Sequence, residues 1–276
     1  MDIYFSYWSK GYRKELDELT LLMHKISAHL AKCHYGADRV FMLTDRESHR
    51  FFADCGYTSI VPLEGVDEID PAYGEVWSLG KLFAYRQICD RGKAFCHLDY
   101  DVFLWKRLPA WLENAACFVQ NKEWDAFNKY EADKMKNNAP NKGLLHYVDS
   151  SSYAYNVGIF GGTDLDFIRF YANKALHFVL NPDNKEIMLD TTGRFTHFWS
   201  KATIAEQLYL RAAEIAYGGI TVQPLFDLPY GTMIPAEAEC QEKGYTHLWG
   251  AKNNPEYRKT LTSTLRQVYK QLLSEG

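Results

Sequence analysis

The stretch HLDYDVFLW, residues 97–105, places Asp99 and Asp101 directly after an apolar run. That run, residues 94–98, predicts a buried strand ending where the two acids begin. Ligands of open α/β sheets bind beyond the carboxyl ends of the strands, so both carboxylates are predicted to face a ligand. Acids beside a buried strand are costly unless a cation or hydrogen-bond donors compensate them. A pair of solvated loop acids is the alternative interpretation.

Upstream of this stretch, apolar runs alternate with helical periodicity. The predicted strands cover residues 3–8, 40–44, 59–62 and 94–98, and the predicted helices cover residues 16–30, 47–53 and 77–89. This alternation predicts an α/β fold with a mostly parallel central sheet and helices on both faces. Because no Gly/Ser-rich linker divides the sequence, residues 1–276 are predicted to form a single domain.

Downstream, a polar stretch over residues 121–152 interrupts the pattern. We expect it to form an excursion at one edge, with a short helix over residues 127–135, and to face an acceptor. The alternation then resumes. The predicted elements are a strand over 153–160 ending in Gly161 and Gly162, a helix to Val179 capped by Thr163 or Asp164, a helix over 202–216, a strand over 220–225, and a final helix over 254–274.

Composition excludes several classes of protein. The formal net charge of −4 argues against a nucleic-acid binder, which usually carries a basic excess. Six dispersed cysteines without a CxxC pair indicate reduced thiols, as in a cytoplasmic protein. The first residues do not read as a signal peptide. No apolar run approaches the roughly 20 residues that span a bilayer, so any membrane association is expected to be peripheral.

Three further segments occur in order around the aspartate pair. They are Ser78-Leu79-Gly80-Lys81, Tyr155-Asn156-Val157-Gly158-Ile159-Phe160-Gly161-Gly162 and Thr246-His247-Leu248-Trp249-Gly250. With the DxD pair, they resemble glycosyltransferases of the GT-A fold, most of all retaining families with a DxD sugar-binding region. The resemblance spans roughly residues 1–250. It implies a GT-A-like domain that moves a sugar from a nucleotide-diphosphate donor, with a UDP-sugar favoured, to a hydroxyl of a glycan or polysaccharide.

The resemblance also assigns roles to individual residues. A Mn²⁺ or Mg²⁺ ion on Asp99 and Asp101, with His247 as a further ligand, would act as a Lewis acid on the leaving diphosphate. Asp99 would thereby also contact the donor. The other expected donor contacts are Lys81 at the diphosphate, Gly161 and Gly162 at the sugar, and Trp8 stacked on the base. The expected catalytic residues, near the reacting sugar, are Asn156 and Glu206.

Each residue also has a structural interpretation. Trp8 could pack in the core, and Lys81 could be a surface lysine. Asn156 could satisfy a turn, Glu206 could lie on an exposed helix face, and His247 could be a packed histidine. Gly161 and Gly162 could simply form a turn. Asp45, after the second predicted strand, is a further candidate for the base or ribose.

Two other functions stay open at this point. A sugar-1-phosphate nucleotidyltransferase usually carries a Gly-rich basic loop after its first strand, whereas residues 6–11 here read SYWSKG, with one glycine. A non-catalytic glycan-binding protein on an inactive transferase fold is the other alternative. The intact DxD pair argues against it.

Overall fold

The computed structural model describes residues 1–12, 16–123, 126–149, 151–229 and 231–275, with the backbone alone at residues 12, 126–130, 198 and 199. It is an α/β fold around a seven-stranded, mostly parallel sheet, as predicted. The strand order is β3-β2-β1-β4-β7-β6-β8, and β7 is the antiparallel member. A second sheet pairs β5 with β9. The strands are β1 Asp2–Tyr7, β2 Val40–Thr44, β3 Ser59–Pro62, β4 Phe95–Leu98, β5 Val102–Leu104, β6 Cys117–Glu123, β7 Ala154–Gly162, β8 Val222–Phe226 and β9 Tyr245–His247.

The helices cover both faces of the large sheet. They are α1 Ser9–Tyr12, α2 Glu18–Tyr35, α3 Leu79–Cys89, α4 Ala110–Glu113, α5 Ala126–Asn138, α6 Leu165–Val179, α7 Lys185–Leu189, α8 Phe198–Thr203, α9 Tyr209–Tyr217, α10 Glu237–Lys243 and α11 Pro255–Glu275. A π-helical turn, Ile204–Leu208, joins α8 to α9. Short 3-10 helices cover His49–Phe52, Pro71–Glu75, Gly143–Tyr147, Pro182–Asn184 and Trp249–Asn253. No helix among the described residues is long and apolar enough to cross a membrane.

Side chains along β1 alternate between the two faces of the large sheet, and helices pack on both faces. Tyr4 packs in the larger core with residues of α3, α6 and α9, whereas Ile3 and Phe5 pack in a second core with residues of α2. Successive side chains of a strand point to opposite faces, so both faces of β1 are buried. This explains why the strand reads as a continuous apolar run.

One sequence expectation, that of the polar stretch, needs correction. The stretch 121–152 contains the expected helix, extended to α5, but it is not a loose excursion, because Met135 and Leu145 are buried in the larger core. The apolar face of α11 packs on α2 through Leu265 and its neighbours, whereas Tyr257 is 60% exposed.

Candidate functional site

Two aspartates and a histidine meet at the carboxyl end of β4. Asp99 and Asp101 follow this strand, and His247 is the last residue of β9. Val102 pairs with His247 in the small sheet, and the Leu248 N–H donates to the Asp101 carbonyl, which joins the two segments. One ligand atom from each of the three side chains lies within 4.8 Å of the others. The structure therefore brings together the three residues predicted to bind a metal.

The donor set of this cluster fits a divalent cation. Carboxylate oxygens suit Mg²⁺ or Mn²⁺, and a neutral imidazole is an acceptable further ligand for Mn²⁺. Asp101 is only 1% exposed, and its Oδ1 atom has no hydrogen-bond partner among the described residues. An unsatisfied buried oxygen costs free energy. A cation bound here would satisfy it.

His247 is oriented by a buried glutamine. Its Nδ1 atom lies 2.7 Å from Gln120 Oε1, which also accepts a hydrogen bond from the Tyr245 hydroxyl at 2.5 Å. The Gln120 amide nitrogen donates to Asn121, which leaves Oε1 as the acceptor. Nδ1 therefore carries the proton, and Nε2, 3.5 Å from Asp101 Oδ2, is free to bind a cation.

Lys252, which the sequence analysis missed, already places a positive charge at this cluster. Its ammonium contacts Asp101 Oδ2 and lies 4.9 Å from the centre of the Tyr100 ring. Burial alone would raise the pKa of Asp101, but the positive charge of Lys252 holds it well below its usual range. Asp101 is therefore ionised, as a metal ligand must be.

The backbone that leads to Lys252 is strained. Trp249 has φ of 44°, in the left-handed region that bulky residues avoid, and its ring centre lies 5.4 Å from that of His247. Such conformations persist only where the surroundings enforce them, and they cluster at functional sites. The position of Lys252 just beyond the quoted segment ending at Gly250 is the only signal the sequence offered for it.

On the other side of β4, Lys81 bridges two acids. Its Nζ lies 2.6 Å from Asp99 Oδ1 and 3.3 Å from Glu206 Oε1. Burial alone would lower the pKa of Lys81, but Asp99 and then Glu206 raise it above its usual value, so the side chain is charged. Lys81 lies in the first turn of α3, where the resemblance expected a basic residue, and it is buried rather than a surface lysine.

Glu206 lies on the π-helical turn and is fully buried. Its Oε1 accepts a hydrogen bond from the Tyr85 hydroxyl at 3.1 Å, whereas Oε2 has no partner among the described residues. Burial raises the pKa of Glu206 to about 7, against the opposing charge of Lys81. The structure thus places Glu206 behind Lys81 and not on an exposed helix face. Contact with a reacting sugar stays a prediction.

Asn156, the other expected catalytic residue, lies beside the cluster on β7. Its amide donates to Glu123 Oε1 at 2.6 Å, and its carbonyl oxygen accepts the Gly158 N–H at 2.9 Å. The side chain is 7% exposed and already hydrogen-bonded at both ends. A bond to a sugar hydroxyl would have to compete with these partners, and it too stays a prediction.

The sequence matches a protein-family model over nearly its whole length. A model for a family of unknown function, DUF6734, matches residues 2–275. The chain belongs to this DUF6734 family. No curated protein matches it. The match covers both the Asp99–Asp101 segment and His247, so every predicted ligand lies within the part shared with the family.

Gly158 is a second residue that sequence reasoning missed in this DUF6734 chain. A Cβ atom there would stand 2.5 Å from Gln120 Oε1 and 2.8 Å from His247 Nδ1, so only glycine leaves room for the oriented imidazole. Its carbonyl also accepts the Asp99 N–H at 2.9 Å. An isolated glycine inside a strand pattern was the available signal, because it often marks a close approach.

The roles expected of Gly161 and Gly162 are wrong for a positional reason. β7 runs antiparallel to β4, with Leu98 opposite Ile159 and Phe95 opposite Gly162. The end of β7 therefore lies at the edge where β4 begins, away from Asp99. A Cβ at Gly161 would overlap the Phe95 carbonyl, and one at Gly162 the Ala116 carbonyl. These glycines permit close backbone packing instead of ligand contact.

Trp8 and Asp45 are also used by the fold. Trp8 is 1% exposed, and a Cβ added at Gly80 would stand 2.8 Å from the Cβ of Trp8. The Trp8 ring is therefore packed in the core and has no face open to a base.

Asp45 accepts the Ser9 N–H on one oxygen, at 2.5 Å, and the Ser48 N–H on the other, at 2.9 Å. Its carboxylate ties two loops together, and the hypothesis that it binds a base or ribose is not supported.

Proposed function

We propose that this chain is a metal-dependent glycosyltransferase that moves a sugar from a nucleotide diphosphate to a hydroxyl of a glycan or polysaccharide. The observation that carries the proposal is the convergence of Asp99, Asp101 and His247 at the carboxyl end of β4. A divalent ion held there would supply Lewis-acid stabilisation of the departing diphosphate. A UDP-sugar is the donor we favour, by resemblance.

The two lysines that contact the acids support this proposal over simple cation storage. Lys81 and Lys252 contact opposite acids, Asp99 and Asp101. A site that only stores cations gains nothing from two ammonium groups beside its ligands, because like charges compete. A site that must also hold a diphosphate does gain, because each ammonium can donate to phosphate oxygens.

In such a site, Lys252 would exchange Asp101 for a phosphate oxygen when a cation binds. While Asp101 has no other cation, the ammonium of Lys252 balances the buried carboxylate. Once Asp101 binds a cation, its negative charge is no longer available to Lys252, and the ammonium can turn to a phosphate oxygen. Lys252 would thereby orient the diphosphate.

Lys81 and Glu206 lie beside the other acid of the pair, Asp99. Lys81 keeps Asp99 in place and stays charged because Glu206 supplies a second acid. Glu206 thus acts through Lys81. None of the described contacts places a free general base at the site, which agrees with retention of anomeric configuration, the outcome we propose by resemblance.

The six cysteines are free thiols, and a cytoplasmic location is part of the proposal.

The test is direct. Purified protein with Mn²⁺ is incubated with a panel of nucleotide sugars, and nucleotide diphosphate release is followed with and without glycan acceptors. We expect release from at least one donor, lost with a chelator. Absence of both nucleotide binding and release across the panel would contradict the proposal. Pyrophosphate release from a nucleoside triphosphate plus a sugar phosphate would favour a nucleotidyltransferase instead. Glycan binding without metal-dependent nucleotide binding would favour a non-catalytic glycan-binding protein.

A further inference from the structure

A second concave site lies at the same edge of the sheet, beyond the ends of β2 and β3. It is a cavity of about 270 Å³, which we call the Arg50 cavity, lined by Thr44, Asp45, Arg46, His49, Arg50 and Pro62. Thr44 ends β2, and β2 lies two strands from β4 in the sheet order. At the usual strand spacing, the cavity lies roughly 10 Å to the side of the metal cluster.

The cavity presents hydrogen-bond donors that the protein does not use. Thr44 is fully buried, and its hydroxyl has no hydrogen-bond partner among the described residues. Within the same described part of the chain, His49 and Arg50 make no side-chain hydrogen bond or ion pair, and Arg50 only stacks on the Phe51 ring at 4.8 Å. A buried hydroxyl without a partner is costly, so a ligand that meets it would gain free energy.

The acids near the cavity are already engaged. Both carboxylate oxygens of Asp45 accept backbone N–H groups, from Ser9 and Ser48. Asp67 lies 3.5 Å from Arg46, in a pair that is largely exposed and therefore weak. The groups left for a ligand are then a hydroxyl, an imidazole and guanidinium groups. This set matches a compact acceptor with several oxygens, because guanidinium groups bind phosphate and carboxylate in a bidentate manner.

We propose that the Arg50 cavity binds an anionic group, a phosphate or a carboxylate, at a site separate from the metal cluster. This inference does not rest on the proposed function, because none of the residues that line the cavity belongs to the metal cluster. Arg50 and His49 hold the charged oxygens, and the Thr44 hydroxyl donates from the floor.

Calorimetric titration with a chelator present tests this without any contribution from a metal–diphosphate complex. One arm uses inorganic phosphate and the other glucuronate, which separates a phosphate site from a carboxylate site. Arg50→Gln is compared with Arg39→Gln, an equal loss of charge at an exposed arginine just before β2 begins, at the opposite edge. Thr44→Val removes the hydroxyl without changing the charge, and thermal unfolding of each variant reports its folding.

We expect saturable binding in at least one arm. Arg50→Gln should weaken it about tenfold or more, since a charge-assisted hydrogen bond is lost. Thr44→Val should weaken it less, and Arg39→Gln should leave it unchanged. Lack of saturable binding in both arms would overturn the proposal, as would equal weakening by Arg39→Gln and Arg50→Gln, which would indicate only diffuse attraction.

Discussion

Asp99 and Asp101 stand one residue apart, yet their charges are balanced in different ways. Asp99 has a side chain 19% exposed and pairs with Lys81, on a core helix that also holds Tyr85. Asp101 is 1% exposed and pairs with Lys252, in the 3-10 turn after β9. The carbonyl of Lys252 accepts from Arg258 on α11, which in turn pairs with Asp17.

This difference indicates which part of the cluster can rearrange on ligand binding. We call Asp99 with Lys81 the Lys81 half of the cluster, and Asp101 with Lys252 the Lys252 half. The Lys81 half is embedded in the larger core, with Glu206 and Tyr85 behind it. The Lys252 half is held by one ion pair at the acid and by the packing of a C-terminal segment. We therefore expect the Lys252 half to exchange partners on ligand binding and the Lys81 half to stay fixed.

The largest effect should come from Asp101→Asn, which removes the most buried ligand. Loss of an outer-shell partner already lowers metal affinity 10–100-fold, so loss of this carboxylate should lower Mn²⁺ affinity by at least about 100-fold. Titration calorimetry measures it. Asp90→Asn, an exposed acid at the end of α3, is the matched control and should bind Mn²⁺ as the parent protein does. Equal affinity in both variants would remove Asp101 from the site.

Gly158→Ala should come next, because a Cβ there displaces His247 and Gln120 without touching either carboxylate. We expect Mn²⁺ affinity to fall about 10–100-fold. Gly250→Ala is the control, since a Cβ at Gly250 meets nothing within 4 Å. A folded Gly158→Ala protein with unchanged Mn²⁺ affinity would show that His247 is not a ligand.

Lys252→Met separates the two halves most sharply, because it should move two affinities in opposite directions. Without the competing ammonium, Mn²⁺ alone should bind about tenfold more tightly. UDP in the presence of Mn²⁺ should bind about tenfold more weakly, since one phosphate contact is lost. Lys259→Met, an exposed lysine on α11, should change neither. Weaker Mn²⁺ binding in Lys252→Met would contradict the exchange of partners.

A prediction about folding stability, and not about ligand affinity, concerns His24, whose ring stacks on Tyr100 between the two acids, with centres 4.8 Å apart. Burial lowers the pKa of His24 to about 3, below the unfolded value of 6.5. The folded protein therefore binds this proton more weakly than the unfolded chain. The stability that neutral His24 allows is complete above about pH 6.5 and is lost as the pH falls towards 3.

Urea unfolding of His24→Gln and the parent protein between pH 7 and pH 5 checks this sign. The advantage of the parent protein should shrink by about 1.4 kcal/mol per pH unit below pH 6.5. The buried His97 and Glu206 titrate alike in both proteins, so the difference isolates His24. A difference that does not change with pH would mean that His24 titrates normally when folded.

Sequence patterns predicted the fold well because both faces of the strands are buried. The apolar run of β2 predicted residues 40–44, the observed Val40–Thr44, and Asp164 caps α6 as one of the two expected residues. The sequence could not reveal the direction of β7, which depends on strand pairing over long range. That is why Gly161 and Gly162 were assigned to the wrong edge and Gly158 was passed over.

The same limit applies to the charges of the candidate site. Asp99, Asp101 and His247 were found because carboxylates after a strand and a late histidine form a recognisable order. Lys252 was missed because its role in the site depends on contact with Asp101. That residue lies across the small sheet and far away in sequence. Burial likewise separates Trp8, packed in the core, from the exposed aromatic ring that a base would need.

The central claim is that a divalent cation is bound by Asp99, Asp101 and His247 and carries a nucleotide diphosphate. Crystals grown with Mn²⁺ and UDP test it through the anomalous signal of manganese. The account predicts one peak between these three side chains, UDP phosphates bound to it, and the Lys252 ammonium moved from Asp101 to a phosphate oxygen. Bound UDP without such a peak, or a peak elsewhere with Lys252 still on Asp101, would contradict it.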